Sequence, residues 1–485
     1  MKESLYIGID LGTGSLKGIV VTYSGSVIAK STASYDVISP HLGYSEQDPK
    51  DWYEAFEKVL FQLIADIPSL KDDIRGIAIS GQMHSLVMLD AKGHPVRNAI
   101  LWNDVRNAIE SKFLNEKYGS LIRSETGNRS FEGFTLPKIL WMRDHEIDNY
   151  QTTHSILLPK DYLVYRLTGQ RVMDYSDASG TLLLNINTRT WSTKMLDTFG
   201  ISSTLLPRLV RSDEKVGTMS EALVEHFGFH GPVNIYGGGA DNACGALGAG
   251  VVDESKQLIS IGTSGVILGM GSAMHEDTLH NFLHVNGERY QMGVTLSAGD
   301  SLNWIKEIVA PEQAFDAFVD DNYGKRPVHP MLLFTPYLRG ERCPHPDAFI
   351  RGSFIGLDSS HSRRDMVQAV MEGVVFSLRE SFDRNKSAYL ISIGGGAKSS
   401  AWLQIQANIL QSPIVTLTTE EGPALGAAML VAVGSGDYEN YNEVVKQFIR
   451  YSKDTIIPSQ EHIESYERLY QSYIKIYNAT KDFFV

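Results

Sequence analysis

Residues 6–21 read YIGIDLGTGSLKGIVV: an apolar run of strand character, a short turn of glycine and hydroxyl residues, and a second apolar run. The pattern predicts a β-hairpin, because strand-forming residues flank a turn in which glycine tolerates unusual backbone angles. Such a turn lets backbone N–H groups and the hydroxyls of Thr13 and Ser15 approach an anion closely. One turn of this kind is ordinary.

A second turn of nearly the same chemistry lies past the middle of the chain. Residues 258–268 read LISIGTSGVIL, again with a Gly/Thr/Ser turn between two apolar runs. Either turn alone is equally well explained as a plain hairpin. Two of them, placed as if in two related halves, predict a phosphate that is held from both sides.

The composition indicates a protein of at least two domains. The chain has 485 residues, of which 43% are hydrophobic, enough for a well-formed core in each domain. Its formal net charge of −13 disfavours nucleic acid and anionic membranes as partners, since both favour a basic face. Two cysteines imply no disulfide framework, and no signal peptide or bilayer-spanning apolar stretch is evident. We therefore expect a soluble cytoplasmic protein.

The order of predicted elements indicates an α/β fold. Three strands are predicted within residues 5–34, and Asp48-Pro49 then begins a helix with an N-cap followed by proline. A strand through residues 75–80 follows, and strands, helix and strand together make a layered α/β unit. The second half repeats this order more loosely. We place the boundary near residues 245–255, so that the predicted domains are residues 1–248 and 249–485.

Asp10 ends the first predicted strand, next to the first glycine turn. A carboxylate beside a phosphate-binding turn is well placed to hold Mg²⁺, usually through water. Thr13, Ser15 and Lys17 offer hydrogen-bond donors to phosphate oxygens. The structural alternative is a hairpin closed by a capping aspartate.

Asp241 is surrounded by small residues in the segment YGGGADNACG, residues 236–245, so a substrate can approach its carboxylate closely. That access suits a general base that takes a proton from a sugar hydroxyl aimed at a γ-phosphate. The alternative is an aspartate that caps a helix in a tight turn, and the two roles are compatible at different oxygens.

Two further groups of residues give weaker signals. Residues 394–398, Gly-Gly-Gly-Ala-Lys, follow a strand and open a helix; their flat shelf suits the face of an adenine ring, and their spacing is not that of a Walker loop. Gln82, Met83 and His84 lie just past a strand end, where α/β proteins collect ligands, and their side chains suit a sugar. Trp102 either stacks on a sugar or fills core.

Two longer segments resemble the signatures of the FGGY carbohydrate kinases, a family of the actin-like, ribonuclease-H-like ATPase superfamily. Residues 133–141 look like the first signature, and residues 352–357, continuing through 366–372, look like the second. The resemblance covers nearly the whole chain. It implies two actin-like α/β domains that flank a central cleft, ATP and Mg²⁺ as cofactors, a small-molecule sugar substrate, and a homodimer, which the family often forms.

The resemblance also assigns roles to individual residues: Asp241 matches the catalytic base and Asp10 the carboxylate near Mg²⁺. From their chemistry or from the resemblance, the residues expected to bind the sugar are Gln82, Met83, His84, Trp102, Asp241 and Asn242. The residues expected to bind ATP are Gly12, Thr13, Gly14, Ser15, Lys17, Gly262, Thr263, Ser264, Gly394, Gly395, Gly396, Ala397 and Lys398. The chain departs from the family pattern at Gly14-Ser15 and at Cys343, which puts affinity in doubt more than reaction type.

Within the family, six segments are most similar to the members that act on D-xylulose. These segments are residues 44–49, 82–84, 99–104, 158–162, 174–180 and 340–345. Met83-His84 stands where relatives acting on glycerol carry Arg-Glu, which favours a ketose. We therefore expect ATP-dependent phosphorylation of D-xylulose to D-xylulose 5-phosphate.

Three alternatives remain open. The first is another sugar of the same family, such as gluconate, ribulose or a related ketose or polyol, because one fold accepts many sugars. The second is a nucleotide-binding sensor, regulator or filament protein, although no DNA-binding helix pair is apparent at either end. The third is a sugar-binding pseudokinase, although both Asp10 and Asp241 are present.

Overall fold

The chain forms two spatial units, each built from three separate stretches. The computed structural model describes residues 4–271, 278–322, 332–381 and 389–484. Unit 1 comprises Met1–Val252, Asn281–Arg289 and Glu421–Ile449, and unit 2 comprises Asp253–His280, Tyr290–Glu420 and Arg450–Val485. The predicted boundary between residues 248 and 249 divides the chain at a single point, whereas each spatial unit contains three separate stretches. That domain boundary stays a prediction.

The described residues contain many short strands, most of them in one sheet per unit. In chain order the strands are β1 Leu5–Leu11, β2 Ser15–Thr22, β3 Val27–Ser34, β4 Glu46–Gln47, β5 Ile74–Gly81, β6 Val87–Leu89, β7 Ala99–Ile100, β8 Ser155–Leu157, β9 Val172–Asp174, β10 Leu184–Asn185, β11 Thr190–Trp191, β12 Arg208–Val210, β13 Lys215–Thr218, β14 Asn234–Tyr236, β15 Gly239–Ala240, β16 Lys256–Ile261, β17 Gly265–Met270, β18 His280–Leu283, β19 Arg289–Thr295, β20 Leu333–Thr335, β21 Ser353–Ile355, β22 Tyr389–Gly394 and β23 Ile414–Thr416.

Helices alternate with these strands throughout the chain. They are α1 Pro49–Asp66, α2 Leu70–Asp73, α3 Ala108–Thr126, α4 Thr135–His145, α5 Ile147–Thr152, α6 Pro159–Thr168, α7 Tyr175–Ser179, α8 Thr193–Phe199, α9 Glu221–Phe227, α10 Asp241–Gly248, α11 Gly299–Val309, α12 Phe315–Asn322, α13 Arg363–Arg379, α14 Ser400–Leu410, α15 Pro423–Gly434, α16 Tyr441–Phe448, α17 Gln460–Tyr473 and α18 Ile476–Thr480.

The main sheet of unit 1 has the strand order β13-β14-β5-β1-β2-β3, and β15 also pairs with β5. Strands β1 and β2 form the predicted antiparallel hairpin, with Asp10 opposite Lys17. On its other edge β1 pairs in parallel with β5, with Asp10 opposite Ser80. The end of β1 therefore lies between the first glycine turn and the residues that follow β5.

Helices cover both faces of β1. Ile7 and Ile9 belong to one core cluster with the apolar face of α1. On the opposite face, a Cβ added to Gly8 would lie only 1.9 Å from the carbonyl oxygen of Ala424 in α15. A strand buried on both faces needs no polar alternation, which explains the nearly continuous apolar sequence of β1.

Helix α15 is apolar around its whole circumference because it is packed on several sides. Every residue from Ala424 to Ala432 is buried. Besides β1, it lies against α10, where a Cβ added to Gly426 would lie 2.0 Å from the carbonyl oxygen of Cys244. This close backbone approach holds α10, the helix that begins at Asp241, against the core of unit 1.

The sheet of unit 2 repeats the arrangement around β1. Strand β16 pairs antiparallel with β17 across the second glycine turn and in parallel with β22, so that Ile261 lies opposite both Gly265 and Gly394. Five of the strands follow the order β19-β17-β16-β22-β23. Each unit thus has a central strand between one antiparallel and one parallel partner. This mixed α/β arrangement is the repeat that the sequence predicts, and it is consistent with an actin-like ATPase fold.

Local signals in the sequence locate most of these elements. The predicted start of α1 is confirmed, with Pro49 as its first residue and the Asp48 side chain accepting a hydrogen bond from the Lys50 N–H at 2.9 Å. The triple glycine does not itself open a helix: Gly395–Ala397 form a 3₁₀ turn, and α14 begins at Ser400. The hydroxyl of Ser399 caps α14 by accepting the N–H of Trp402 at 3.2 Å, so this N–H of the first turn is already satisfied within the protein.

None of the helices in the described part of the chain combines the length and the hydropathy that a membrane-crossing helix needs.

Candidate functional site

Strand β5 brings Asp10 and Asp241 to the same edge of the sheet in unit 1. Asp10 lies near the end of β1, opposite Ser80 of β5. Gly239 and Ala240 of β15 pair with the same end of β5, from the other side. Asp241 follows immediately as the first residue of α10, rather than as its N-cap.

Both carboxyls are held in a form that resists ionisation. Burial and the charge of Asp241 together raise the pKa of Asp10 to about 7, against the opposing effect of Lys17. Burial also raises the pKa of Asp241 to about 6, against the effect of two hydrogen bonds from Asn242. These come from the Asn242 N–H at 2.7 Å and its Nδ2 at 3.0 Å, both to Oδ1. A carboxyl that titrates near neutrality suits proton transfer.

The same pair suits a divalent cation. The charge of Asp241 disfavours the ionisation of Asp10, and a bound cation would offset that effect. Mg²⁺ is commonly bound through one or two carboxylates plus substrate phosphates, which fits this donor set. No cluster of three or more His, Cys, Asp or Glu side chains in the described ranges could hold a metal by itself.

Hydrogen bonds to its backbone carbonyl groups fix the first glycine turn. The Gly12 N–H donates to the Ser15 carbonyl at 3.0 Å, and the Tyr35 hydroxyl donates to the Gly12 carbonyl at 2.5 Å. The buried side chain of Gln47 donates from Nε2 to the Thr13 carbonyl at 2.6 Å. Gly14 at the tip is exposed, and a Cβ there would meet nothing within 4 Å. The turn is therefore rigid at its base and open at its tip.

Lys17 is engaged by a carboxylate close to α15. Its Nζ lies 2.5 Å from Glu421 Oε2 and 3.3 Å from the Glu421 carbonyl oxygen, while Lys30 Nζ lies 3.6 Å from Oε1. The Glu421 side chain is only 6% exposed. Glu421 thus fixes the direction of Lys17 at the base of the turn, and the assignment of Lys17 to ATP binding stays a prediction.

Gln82 and Met83 lie within the protein beside the turn. The Gln82 amide donates to Gln47 Oε1 at 3.1 Å and accepts from the Ser85 hydroxyl at 3.1 Å, and its backbone N–H donates to the Leu11 carbonyl at 2.9 Å. Met83 Sδ lies 3.7 Å from Asn242 Nδ2, which connects this segment to α10. Through Gln47, the Gln82 amide therefore connects the first glycine turn to the segment that follows β5.

His84 is held in an uncommon backbone conformation. Its φ of 67° lies in the left-handed region, which side chains other than glycine rarely adopt. Its Nδ1 lies 2.7 Å from the Gly180 carbonyl oxygen, which can only accept, so Nδ1 donates this hydrogen bond. Residues in such conformations cluster at binding and catalytic sites, where the surrounding structure compensates the strain.

Trp102 lies at the surface and contacts the first glycine turn. Its indole Nε1–H donates to the Thr13 hydroxyl at 2.9 Å, and its backbone N–H donates to the Ser85 hydroxyl at 2.9 Å. With 36% of its surface exposed, it does not fill core. A fixed and exposed indole face is suited to stacking on a sugar ring or chain.

Unit 1 therefore brings one set of predicted residues together: Asp10, Gly12–Ser15, Lys17, Gln82–His84, Trp102, Asp241 and Asn242. Sequence reasoning missed Gln47, whose amide joins the turn to Gln82. Its segment, residues 44–49, does resemble the family, but no local pattern gives a buried glutamine this role. Ser80, the residue between the two carboxylates in the sheet, was missed for the same reason.

Unit 2 brings together the remaining predicted residues. Gly262, Thr263 and Ser264 form an exposed turn. Its carbonyl groups accept from N–H groups at the start of α11: Gly262 from Gly299 at 2.8 Å, and Thr263 from Ala298 at 2.9 Å. As in the first turn, the carbonyls are held by the protein and the tip is open.

Residues 394–398 lie beside that turn, at the ends of β16 and β22. Gly394 has a φ of 81°, and its N–H donates to the two carboxylate oxygens of Glu420 at 3.1 and 3.2 Å. A Cβ added to Gly396 would lie 2.6 Å from the Cβ of Ile261, so this position needs glycine for packing. The Lys398 side chain is exposed. The shelf is present, although one of its N–H groups is already used by Glu420.

Comparison with protein families places two domains on the chain. Residues 5–248 match the N-terminal domain of the FGGY family of carbohydrate kinases, and residues 257–435 match the C-terminal domain of the same family. Together the two matches cover most of the chain, and all the candidate catalytic and binding residues lie within them.

Known proteins are similar over the full length. The chain is 43% identical to a xylulose kinase from Staphylococcus xylosus, over 97% of this chain and 99% of that protein. It is 44% identical to a xylulose kinase from Bacillus subtilis strain 168, over 98% and 97%. Among solved structures, a xyloylose kinase from Brucella ovis superposes with a TM-score of 0.93 and 34% identity, covering 99% of this chain and all of that one.

Proposed function

The chain belongs to the FGGY family of carbohydrate kinases, and we propose that it transfers the γ-phosphate of ATP to D-xylulose, forming D-xylulose 5-phosphate. The sugar is proposed from the xylulose kinases that share 43–44% of its sequence over nearly the full length. The observation that best supports the chemistry is the half-buried carboxyl of Asp241, whose pKa burial raises to about 6, beside Asn242, which contacts Met83.

Asp241 acts as the general base in this proposal. Asn242 occupies Oδ1 with two hydrogen bonds, which leaves Oδ2 to accept the proton from the terminal hydroxyl of the sugar. As that proton leaves, the hydroxyl oxygen attacks the γ-phosphorus and ADP departs. Met83, His84, Trp102 and Asn242 hold the sugar so that only one hydroxyl reaches Asp241.

The first glycine turn, in unit 1, would offer its open tip to phosphate oxygens of ATP. In unit 2, the turn at residues 262–264 would likewise bind phosphate, and the shelf at residues 394–398 would bind the adenosine. Asp10 would hold Mg²⁺, which neutralises phosphate charge when bound. Lys17 would add a positive charge at the base of the first turn. The cytoplasmic location and the homodimer stay predictions.

The test is ADP release with Mg-ATP against D-xylulose, D-ribulose, L-ribulose, gluconate and glycerol. We expect a strong preference for D-xylulose, measured as kcat/KM. An Asp241→Asn preparation purified in the same way is the control for contaminating kinases. Preference for another sugar would overturn the choice of substrate but keep the kinase chemistry, and the absence of any sugar-dependent release would contradict the proposal as a whole.

A further inference from the structure

A cluster of buried charges lies in unit 1, within the segments 158–162 and 174–180. Lys160 Nζ lies 2.6 Å from Asp161 Oδ1, 3.0 Å from Asp174 Oδ1 and 3.2 Å from Asp177 Oδ2. All four side chains are at most 1% exposed. Burying a charge costs free energy unless the charge is paired and hydrogen-bonded. A cluster of four buried charged residues therefore needs a structural or functional reason.

Asp174 connects this cluster to two serine hydroxyls. Its Oδ2 accepts the Ser176 N–H at 2.9 Å, the Ser176 hydroxyl at 2.5 Å and the Ser212 hydroxyl at 2.7 Å. The other oxygen, Oδ1, faces Lys160 Nζ, so both oxygens of Asp174 are engaged by donors. One carboxylate therefore fixes two serines from different parts of the chain.

Both serines hold the backbone that leads into Asp241. The Ala240 N–H, one residue before Asp241, donates to the Ser176 hydroxyl at 2.9 Å. The Gly238 N–H donates to the Ser212 carbonyl at 3.0 Å. The segment Gly238–Ala240 is thus held on one side of Gly239 by a hydroxyl bonded to Asp174, and on the other by the backbone carbonyl of a serine whose hydroxyl is bonded to Asp174.

This segment cannot be fixed by side-chain packing of its own. A Cβ added to Gly238 would lie 2.0 Å from the Ile79 carbonyl oxygen, and one added to Gly239 would lie 3.0 Å from Cys244 Sγ. Glycine is required for this close approach, and glycine has the largest conformational freedom to lose. Hydrogen bonds from outside the segment must therefore supply the rigidity that side chains supply elsewhere.

We propose that Asp174 and Ser176 are positioning residues, which hold the glycine segment so that Asp241 keeps its carboxylate in the orientation needed for proton transfer. The inference rests on the proposed function, because it assumes that Asp241 is the base. Lys160 serves the same end by balancing the charge of Asp174. None of these three side chains needs to touch the sugar.

The test is a cycle of kinetic measurements on Ser176→Ala, Asp241→Asn and the double variant. Ser176→Ala removes one hydrogen bond to Ala240, so we expect kcat to fall roughly 5- to 30-fold. The KM for ATP should be unchanged, because the glycine turns are not altered. In the Asp241→Asn background the same substitution should change kcat less than about twofold, since residues that act through one group are not additive.

Ser130→Ala is the matched control. Ser130 is buried in the same unit and its hydroxyl lies 3.1 Å from the Ser111 hydroxyl, so its loss removes a similar hydrogen bond away from Asp241. It should lower the melting temperature about as much as Ser176→Ala and leave kcat unchanged. Ser212→Ala, which removes the second serine hydroxyl from Asp174 Oδ2 and keeps the Ser212 carbonyl in place, replaces Ser176→Ala if the latter does not fold.

The outcomes separate the two proposals. Near-normal turnover of Asp241→Asn would overturn the role of Asp241 and with it the proposed mechanism. A strongly impaired Asp241→Asn, together with an equal kcat loss from Ser176→Ala in both backgrounds, would overturn the positioning inference alone. Unchanged kcat in both Ser176→Ala and Ser212→Ala would do the same.

Discussion

Asp241 combines chemical usefulness with a cost in stability. Its pKa in the folded protein is about 6, above the 3.8 of an ordinary aspartate, and burial is the main cause. The folded state therefore binds this proton more tightly than the unfolded state. The stabilisation from this group is fully present below pH 3.8 and is lost as the pH rises towards 6. The ionised form that can accept a proton is thus the form that the fold tolerates less well.

Replacing Asp241 by Asn should lower kcat by roughly 10²- to 10⁴-fold, as expected when a general base is lost. The amide keeps an oxygen for the two Asn242 donors but cannot accept the substrate proton. The measurement is steady-state ADP release at saturating sugar and ATP. A kcat within a few-fold of the unmodified enzyme would show that another group takes the proton.

The pH dependence of kcat/KM for the sugar should have an acid limb near pH 6. Below this value Asp241 is increasingly protonated, so the rate should fall about tenfold for each further pH unit. Rates measured with excess Mg-ATP on both sides of pH 6 test this. The residual activity of Asp241→Asn should lack this limb, and a rate of the unmodified enzyme that stays level well below pH 6 would contradict the assignment.

The candidate catalytic and metal-binding residues were predictable from the sequence where their sequence neighbours are distinctive. Asp10 and Asp241 stand next to glycine and other small residues, and such patterns point to close approach by a ligand. Gln47 and Ser176 act through hydrogen bonds to segments distant in the sequence. Polar residues of this kind have no local pattern that separates them from ordinary buried side chains.

At the scale of elements, close backbone packing around α15 sets the position of the strand and the helix that bear the two carboxylates. Gly8 of β1 and Gly426 of α15 are the points of closest approach, to the carbonyl groups of Ala424 and Cys244 respectively. Because β1 bears Asp10 and α10 begins with Asp241, α15 controls the distance between the two carboxylates without contributing a side chain to either.

Gly8→Ala should lower the free energy of unfolding by about 1–3 kcal/mol or more, because its Cβ would lie 1.9 Å from a backbone oxygen that has little freedom to move. The shift of the urea-unfolding midpoint relative to the unmodified protein measures this loss of stability. Gly231→Ala is the control: nothing lies within 4 Å of its added Cβ, so its effect should stay within about 0.5 kcal/mol. Equal stability of the two variants would contradict the packing described for β1 and α15.

Elements were predictable where their signals are local. The two hairpins and the start of α1 depend on turn and capping residues within a few positions, and the structure confirms them. The behaviour of the triple glycine was not predictable. Whether its N–H groups are available depends on Glu420, which accepts from the Gly394 N–H and lies on another segment of unit 2.

At the scale of the whole molecule, the sequence predicts two related halves because both glycine turns are visible in it. Each half does contain a central strand with one antiparallel and one parallel partner. The return of residues 281–289 and 421–449 to unit 1 was not predictable, since nothing in their composition says which sheet they cover. Contacts between remote segments decide it, and hydrophobic periodicity gives no information about them.

The contribution of Glu421–Ile449 to unit 1 has a consequence for synthesis of the protein. The strand β1 is among the first parts to leave the ribosome, but the helix that covers one of its faces begins about 170 residues after Val252. At usual elongation rates that interval lasts roughly 9–34 s. During this time the nascent chain exposes an apolar sheet face, so the emerging protein should be a strong client for chaperones, and premature termination before residue 421 should give an aggregating product rather than a folded N-terminal half.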